Sequence, residues 1–569
     1  MNWISLLLML VFVQTPASPP APRASIQGFV LKMGTGEPLA KATVTLTRAD
    51  GQRQIYTAST GSDGKFAFQN VDPAQYRLGA TRNGYVRSEY GARSPNRPGL
   101  LITLAAGQRM TDAVVQLTAA GTIAGRVFDR DGEPLANVMV QAQKYSYRDG
   151  ERVLNNVQNA LTNDLGEYRL FWLQPGQYFV SATHNGGPGG EATFVRNIAQ
   201  AAGMIAGRGG GRGAATRVDA QGPEEAYIPV YYPGTGDVQS ATPINLPAGT
   251  VFSGVDFTVA AVRAVRVRGQ VINGATGQPA RNANLVLQPR SRGGIGSRLL
   301  QAFRSPTINE QGVFEIRGVA PGSYELVGII NDRNNRMFGT VPLEVGNSDV
   351  QNVTVVISPG LSIAGRISIE GPNASGDGAS SSRMRISLRR SGGEVQFEPG
   401  QAGAPVQADG TFTLQQVGPG DYRVSVAGMP RNAYVKFARL GPTDVLNQGL
   451  HIERQPNVPL EIVIGTDSGA VDGTVTNNKQ EPSANVTVVL VPDPVHRNRS
   501  ELYRSVATDS QGRFHFEGVP PGDYKLFAWE DVDSGAWQDS DFLRPFEERG
   551  RPVQVSSSGS VSADLRVIN

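Results

Sequence analysis

One pattern occurs five times along the chain and leaves few folds open to it. In its last copy, residues 509–524, it reads DSQGRFHFEGVPPGDY. A glycine stands at Gly64, Gly166, Gly312, Gly410 and Gly512. Apolar residues follow at offsets two, four and seven: Phe66, Phe68, Val71; Tyr168, Leu170, Leu173; Phe314, Ile316, Val319; Phe412, Leu414, Val417; Phe514, Phe516, Val519. A proline stands at offset nine (Pro73, Pro175, Pro321, Pro419, Pro521) and a tyrosine at offset twelve (Tyr76, Tyr178, Tyr324, Tyr422, Tyr524). An Asp or Asn just before a glycine reads as a turn, because glycine accepts a positive φ and the Asx side chain bonds nearby backbone. The alternation that follows puts its rings on one face of a strand. The proline marks a second turn, and the tyrosine opens the next strand in the manner of a tyrosine corner. Each copy is therefore a hairpin inside a two-layer sheet.

A second glycine repeats upstream of each motif: Gly28, Gly125, Gly269, Gly365 and Gly473. Between the two glycines lie a proline turn and an alternating strand, as at Pro38, Pro134 and Pro482. With 569 residues and five copies, the chain divides into five units near the commonest domain size. The expected boundaries are a signal peptide at 1–17, a Pro-rich linker at 18–24, and β-sandwiches at 25–118, 119–262, 263–358, 359–465 and 466–569. The fold class is all-β, five Greek-key sandwiches in tandem. Connections of a few residues leave little room for swivelling, so a semi-rigid string is expected. The motif spacing of 102, 146, 98 and 102 residues places an insertion in the second unit, near 185–235. Its Gly-rich runs read as loops; no Walker lysine follows them.

The apolar run 4–13 is too short to span a bilayer and suits a signal peptide cleaved after Ala17, with an uncleaved anchor as the alternative. There is no cysteine, which excludes disulfides and a lipid-modified cysteine. A net charge of +3 over this length points to neither nucleic acid nor an anionic membrane. The expected localisation is export, to the periplasm, cell surface or exterior.

No constellation for catalysis is legible. The four histidines, His184, His451, His496 and His515, form no zinc-peptidase pattern, and no Gly-x-Ser-x-Gly elbow occurs. His515 alternates with Phe514 and Phe516 and should face outward. No enzyme activity and no cofactor are expected. Two aromatic clusters remain as ligand-binding candidates. Trp529 and Trp537 flank an acidic loop in the fifth unit, where indole rings could stack on sugar rings. Asp531, Asp533, Asp539 and Asp541 there make a weak calcium candidate, short of the EF-hand pattern. Tyr227, Tyr231 and Tyr232 follow the Gly-rich runs of the insertion. For both clusters the plainer reading is core packing.

The pattern D-x-x-G-x-F-x-F-x-x-V-x-P-G-x-Y, with its upstream glycine strand, resembles the carboxypeptidase regulatory-like domain, a relative of transthyretin-like, Cna-B-like and starch-binding-like sandwiches. The resemblance implies a seven-stranded Greek-key sandwich per unit and an exported bacterial repeat protein. It does not select a ligand. Many Cna-B modules form a Lys–Asn cross-link promoted by a buried Glu four residues past the tyrosine. This chain has Ala80, Ala182, Gly328, Val426 and Ala528 there, so no such bond is expected. The first copy also departs from the pattern at Ala74, where the turn glycine should stand. The expected function is non-catalytic binding or scaffolding, with a polysaccharide or an envelope protein as partner. The alternatives are a structural spacer or adhesin-type stalk, and an accessory array for a separate peptidase or hydrolase.

Overall fold

The computed structural model describes residues 22–568 except 52–53, 96, 149, 185–224, 291–305, 307, 333–334, 373–382 and 391–402. The expected signal peptide, most of the linker and the greater part of the insertion lie outside the described residues. Packing divides the chain into two compact units, Met1–Ala119 and Ala120–Asn569.

In the first unit, one sheet runs in the order Lys65–Val71, Ala24–Lys32, Arg109–Ala119, Tyr85–Val86. The other sheet runs Ile55–Ser59, Thr43–Arg48, Ala74–Thr81, Ser88–Glu89, with Ile102–Leu104 also on Ala74–Thr81. Between them lies a core built around Ile26, Val44, Leu46, Phe66, Phe68, Tyr76 and Leu78. Among the described residues the second unit holds four more such cores, each drawing its buried residues from one sequence repeat: 123–259, 265–357, 363–464 and 471–567. In the third repeat the two layers join into one six-stranded sheet.

Every repeat pairs its first strand antiparallel to the motif strand and parallel to a later strand of the same repeat. That parallel neighbour explains the recurrent upstream glycine. A Cβ placed on Gly28, Gly125, Gly269 or Gly473 would stand 1.8, 2.0, 1.9 or 1.9 Å from a carbonyl oxygen of that neighbouring chain segment. At Gly365 the distance is 2.7 Å, with the Phe412 ring closer still. Only glycine allows the backbones to approach so closely.

Offsets four and seven differ by three, which simple alternation would send to opposite faces. The structure resolves this with a bulge. In the first repeat Val71 pairs with Ala24 and Phe68 with Ile26, so two residues oppose Ser25; the other four repeats slip at the same place. The residue at offset six takes a left-handed φ each time: Asn70 59°, Trp172 60°, Gly318 71°, Gln416 61° and Gly518 68°. The extra residue returns the apolar side chain to the core face.

Each motif tyrosine donates its hydroxyl to the carbonyl four residues earlier, at 2.7–2.9 Å: Tyr76 to Asp72, Tyr178 to Gln174, Tyr324 to Ala320, Tyr422 to Gly418 and Tyr524 to Pro520. This is the tyrosine corner, and it satisfies the hydroxyl of a ring otherwise sunk in the core. Burial pushes the phenols of Tyr76, Tyr178 and Tyr524 up to about 12. At Ala74 the first repeat manages without the glycine, starting its strand there with Ala74 opposite Leu104.

Repeats within Ala120–Asn569 also touch one another. Arg423 of the fourth repeat donates to the Asn498 carbonyl of the fifth at 2.6 Å, and Arg499 to the Val435 carbonyl at 3.3 Å. The paired strands Val138–Arg148 and Glu151–Leu161 of the second repeat form a long hairpin. Tyr147, near its tip, packs edge-on against Phe542 of the fifth repeat, ring centroids 6.1 Å apart. A contact between the second and fifth repeats corrects the expectation of a simple string for this unit.

Candidate functional site

The acidic Trp loop of the fifth repeat lies over the outer face of the sheet built from Arg504–Ala507, Thr487–Pro492, Gly522–Trp529 and Arg551–Val555. Val489, Val491, Phe527 and Trp529 point outward from that sheet and gather Val532, Ala536, Trp537 and Leu543 into a second apolar core. Trp529 stacks on Phe527 at 5.1 Å and 9°, and meets Phe546 edge-on at 5.7 Å. Trp529 is 2% exposed and Trp537 7% exposed. Trp529 lies against the Phe527 and Phe546 rings and both indoles fill an apolar cluster, so the aromatic density here is packing.

The loop's acids are engaged locally. Asp539 caps the short helix Ser540–Leu543, accepting from the Asp541 and Phe542 amides. Asp541 pairs with Arg544 at 2.6 Å. No group of three or more metal-ligating side chains occurs among the described residues, so Asp531, Asp533, Asp539 and Asp541 are not brought together as a calcium set.

The three tyrosines after the insertion do not form one cluster either. Alternation along 230–232 turns Tyr231 outward and Tyr232 inward, against the main core. Tyr227 also packs on that core and meets His184 edge-on at 4.5 Å. Burial lowers the His184 pKa below its ordinary value. His515 does face outward, near Asp472 and Glu517, and hydrogen bonding to Asp472 raises its pKa. His451 likewise sits between Asp421 and Glu453, with its pKa raised.

Around Tyr231 the structure assembles something that sequence reasoning missed. Strand Val138–Arg148 pairs with Gly176–His184, placing Gln141 opposite Ser181 and Gln143 opposite Phe179. Their neighbours Val140, Ala142, Val180 and Ala182 fill the main core, so Gln141, Gln143, Ser181 and Thr183 belong to the outer face. Asn156 faces Gln143 from the next strand, and Tyr231 pairs with Ser181 from the other side.

These polar side chains are as buried as a core: Gln141 2% exposed, Gln143 0%, Ser181 1% and Thr183 2%. Yet among the described residues Gln141 Oε1, both amide atoms of Gln143, Asn156 Oδ1, Ser181 Oγ and Thr183 Oγ1 are buried with no hydrogen-bond partner. Leaving such a group unmet costs about 1–3 kcal/mol, so a cluster of them calls for polar partners, ordered water or a ligand. The rim is aromatic and apolar. Phe179, Tyr231 and Leu154 form a small cluster beside the stripe, and Tyr145 packs edge-on against Phe179 at 5.1 Å. The Arg152 guanidinium lies 3.9 Å from the Tyr145 ring centre. Carboxamides and hydroxyls at the centre with rings at the edge suit a neutral ligand rich in hydroxyls. The only sequence signal was a strand whose two faces are both uncharged: Val138-Met139-Val140-Gln141-Ala142-Gln143.

The family model of the Carboxypeptidase regulatory-like domain matches residues 25–118 and 470–534. Those two stretches match the family that the motif resembles. No curated protein matches the chain. Among solved structures, the Bacillus anthracis TIE protein is 9% identical, covering 97% of this chain and 73% of that one, with a TM-score of 0.15. The minor pilin of Streptococcus agalactiae is 12% identical over 42% of this chain and 96% of its own, TM-score 0.22. The major pilin subunit of Bacillus cereus is 12% identical over 59% and 99%, TM-score 0.14. At such values the likeness carries no argument about this chain.

Proposed function

We propose that this is a non-catalytic, exported binding and scaffold protein of the cell envelope or exterior. In this reading its five sandwiches occupy 25–118, 119–262, 263–358, 359–465 and 466–569, and the second holds a neutral saccharide. One observation carries the ligand: buried carboxamides and hydroxyls, unpartnered among the described residues, on the outer sheet face of the second repeat, beside Phe179 and Tyr231. Saccharide hydroxyls both donate and accept, as the mixed set of amide and hydroxyl groups requires. The apolar run at 4–13 supports export.

The test is retention of the purified chain on a panel of insoluble and gel-embedded neutral polysaccharides. Retention on one polymer, lost in a Gln141→Val/Gln143→Val variant that still unfolds cooperatively, is the expected result. Absence of retention on every polymer, or retention indifferent to that pair, would overturn the ligand assignment. It would move the reading to a spacer or adhesin-type stalk, which the hydrogen bonds joining the fourth and fifth repeats favour.

A further inference from the structure

We propose that the first repeat carries a second, separate site, which takes an oxyanion: a carboxylate, sulfate or phosphate group. From Arg77 to Arg109 the chain has six arginines, no lysine and one acid, Glu89. That is a local excess of five positive charges in a chain whose total is +3, so the remaining residues together are net negative. The fold concentrates this excess. A cavity of about 350 Å³ is lined by Arg77, Arg87, Ser88, Glu89, Arg97 and Pro98. Its size falls within the range of small-ligand sites.

Strand pairing builds the floor. Gly79 lies opposite Glu89 and Ala80 opposite Ser88, which brings the strand Ala74–Thr81 beside the arginine-rich segment. Glu89 is the organiser. Its side chain, 15% exposed, approaches Arg87 at 3.1 Å and Arg77 at 3.5 Å, and accepts the Gly99 amide at 2.9 Å. Arg77 also donates to the Gly99 carbonyl at 3.1 Å. The carboxylate therefore orients two guanidinium groups while balancing the charge of one. Three arginines line the cavity, leaving an excess of two positive charges.

A guanidinium has five N–H donors, so these contacts do not exhaust Arg77 or Arg87. Their side chains are 41% and 57% exposed, within reach of a ligand from solvent. The planar fork matches the paired oxygens of an oxyanion. Such a group can arrive as a free inorganic ion or as the acidic substituent of a polysaccharide, and the chemistry of recognition is the same.

The experiment uses the full chain at low ionic strength. Isothermal titration with sodium sulfate and sodium phosphate forms one arm, and affinity electrophoresis in polygalacturonate or dextran sulfate gels the other. Saturable binding of an inorganic ion identifies the free anion as ligand. Binding of a polymer alone identifies a polymeric acid, and either result supports the site. An Arg87→Gln/Arg97→Gln variant should weaken binding by about tenfold or more, as loss of charge-assisted contacts requires. The control is Arg82→Gln/Arg109→Gln, which removes the same charge from positions that do not line the cavity. It should weaken binding by less than about twofold, as expected for screened surface charges. No binding in either arm, or equal weakening by the two variants, would overturn the proposal, the latter showing diffuse attraction. Unchanged circular dichroism and thermal unfolding of both variants keep the comparison interpretable.

Discussion

The second and fifth repeats place the same four outer-face positions in different chemical hands. Three and five residues past the motif tyrosine stand Ser181 and Thr183 in the second repeat, and Phe527 and Trp529 in the fifth. Across from them, Gln141 faces Ser181 and Val489 faces Phe527, with Gln143 and Val491 two residues further on. The sheets and tyrosine corners are alike. In the fifth repeat the outer face gathers a loop and closes as a second core. In the second it keeps a cluster of buried hydrogen-bonding groups without partners among the described residues, where the outer core of the fifth leaves Trp529 Nε1 alone. The scaffold is indifferent to this choice, because alternation isolates the outer residues from the main core. What the difference teaches is that the motif specifies one face of the sheet and leaves the other free for binding or docking.

The contrast can be broken most forcefully at Trp529. Truncation to alanine should cost about 3–5 kcal/mol, as for large buried aromatics, read as a lowered denaturation midpoint for the fifth repeat. An unchanged midpoint would mean that the outer cluster is not a core. Converting the second repeat towards the fifth should do the opposite. Gln141→Val/Gln143→Val removes unmet buried groups and should stabilise the protein by about 1–3 kcal/mol, while abolishing polymer retention. Destabilisation would show that these amides are already satisfied.

A smaller effect is expected where the two repeats meet. Tyr147→Ala should remove about 0.5–1.5 kcal/mol of ring packing against Phe542. Hydrogen exchange should then accelerate in 529–549 with little change in the main cores. Equal acceleration throughout Ala120–Asn569 would mean that the hairpin supports the whole unit.

The gentlest probe is pH, where the two repeats should respond with opposite sign. Burial lowers the folded pKa of His184, so on acidification below about 6.5 the unfolded chain takes up the proton first. The second repeat then loses stability. For His515, hydrogen bonding to Asp472 raises the folded pKa, so its contribution is full at low pH and is lost as pH rises through that pKa. Histidine resonances followed by NMR, together with denaturation at several pH values, check both signs. A shared sign would break the contrast.

Much of the fold was legible in the sequence. The five-fold offsets predicted turn, strand, turn and tyrosine corner, because those features rest on local backbone chemistry and one-face periodicity. The bulge was encoded as well, in the odd step from offset four to offset seven. It becomes readable once Val71 and its four counterparts are seen on the core face.

The sites were far less legible. Trp529 and Trp537 looked like a binding surface, and tertiary packing made them a core. Tyr227, Tyr231 and Tyr232 looked like one cluster, and alternation divided them between two faces. The stripe of Gln141, Gln143, Ser181 and Thr183, and the arginines gathered around Glu89, come from segments that pair only in the folded sheets. The sequence by itself determined the hairpins, the repeat and its all-β class, because neighbouring residues settle turns and alternation. Which side chains end up buried without a partner, or facing one another across a cavity, depends on register between strands distant in the chain. Only the tertiary structure decided that.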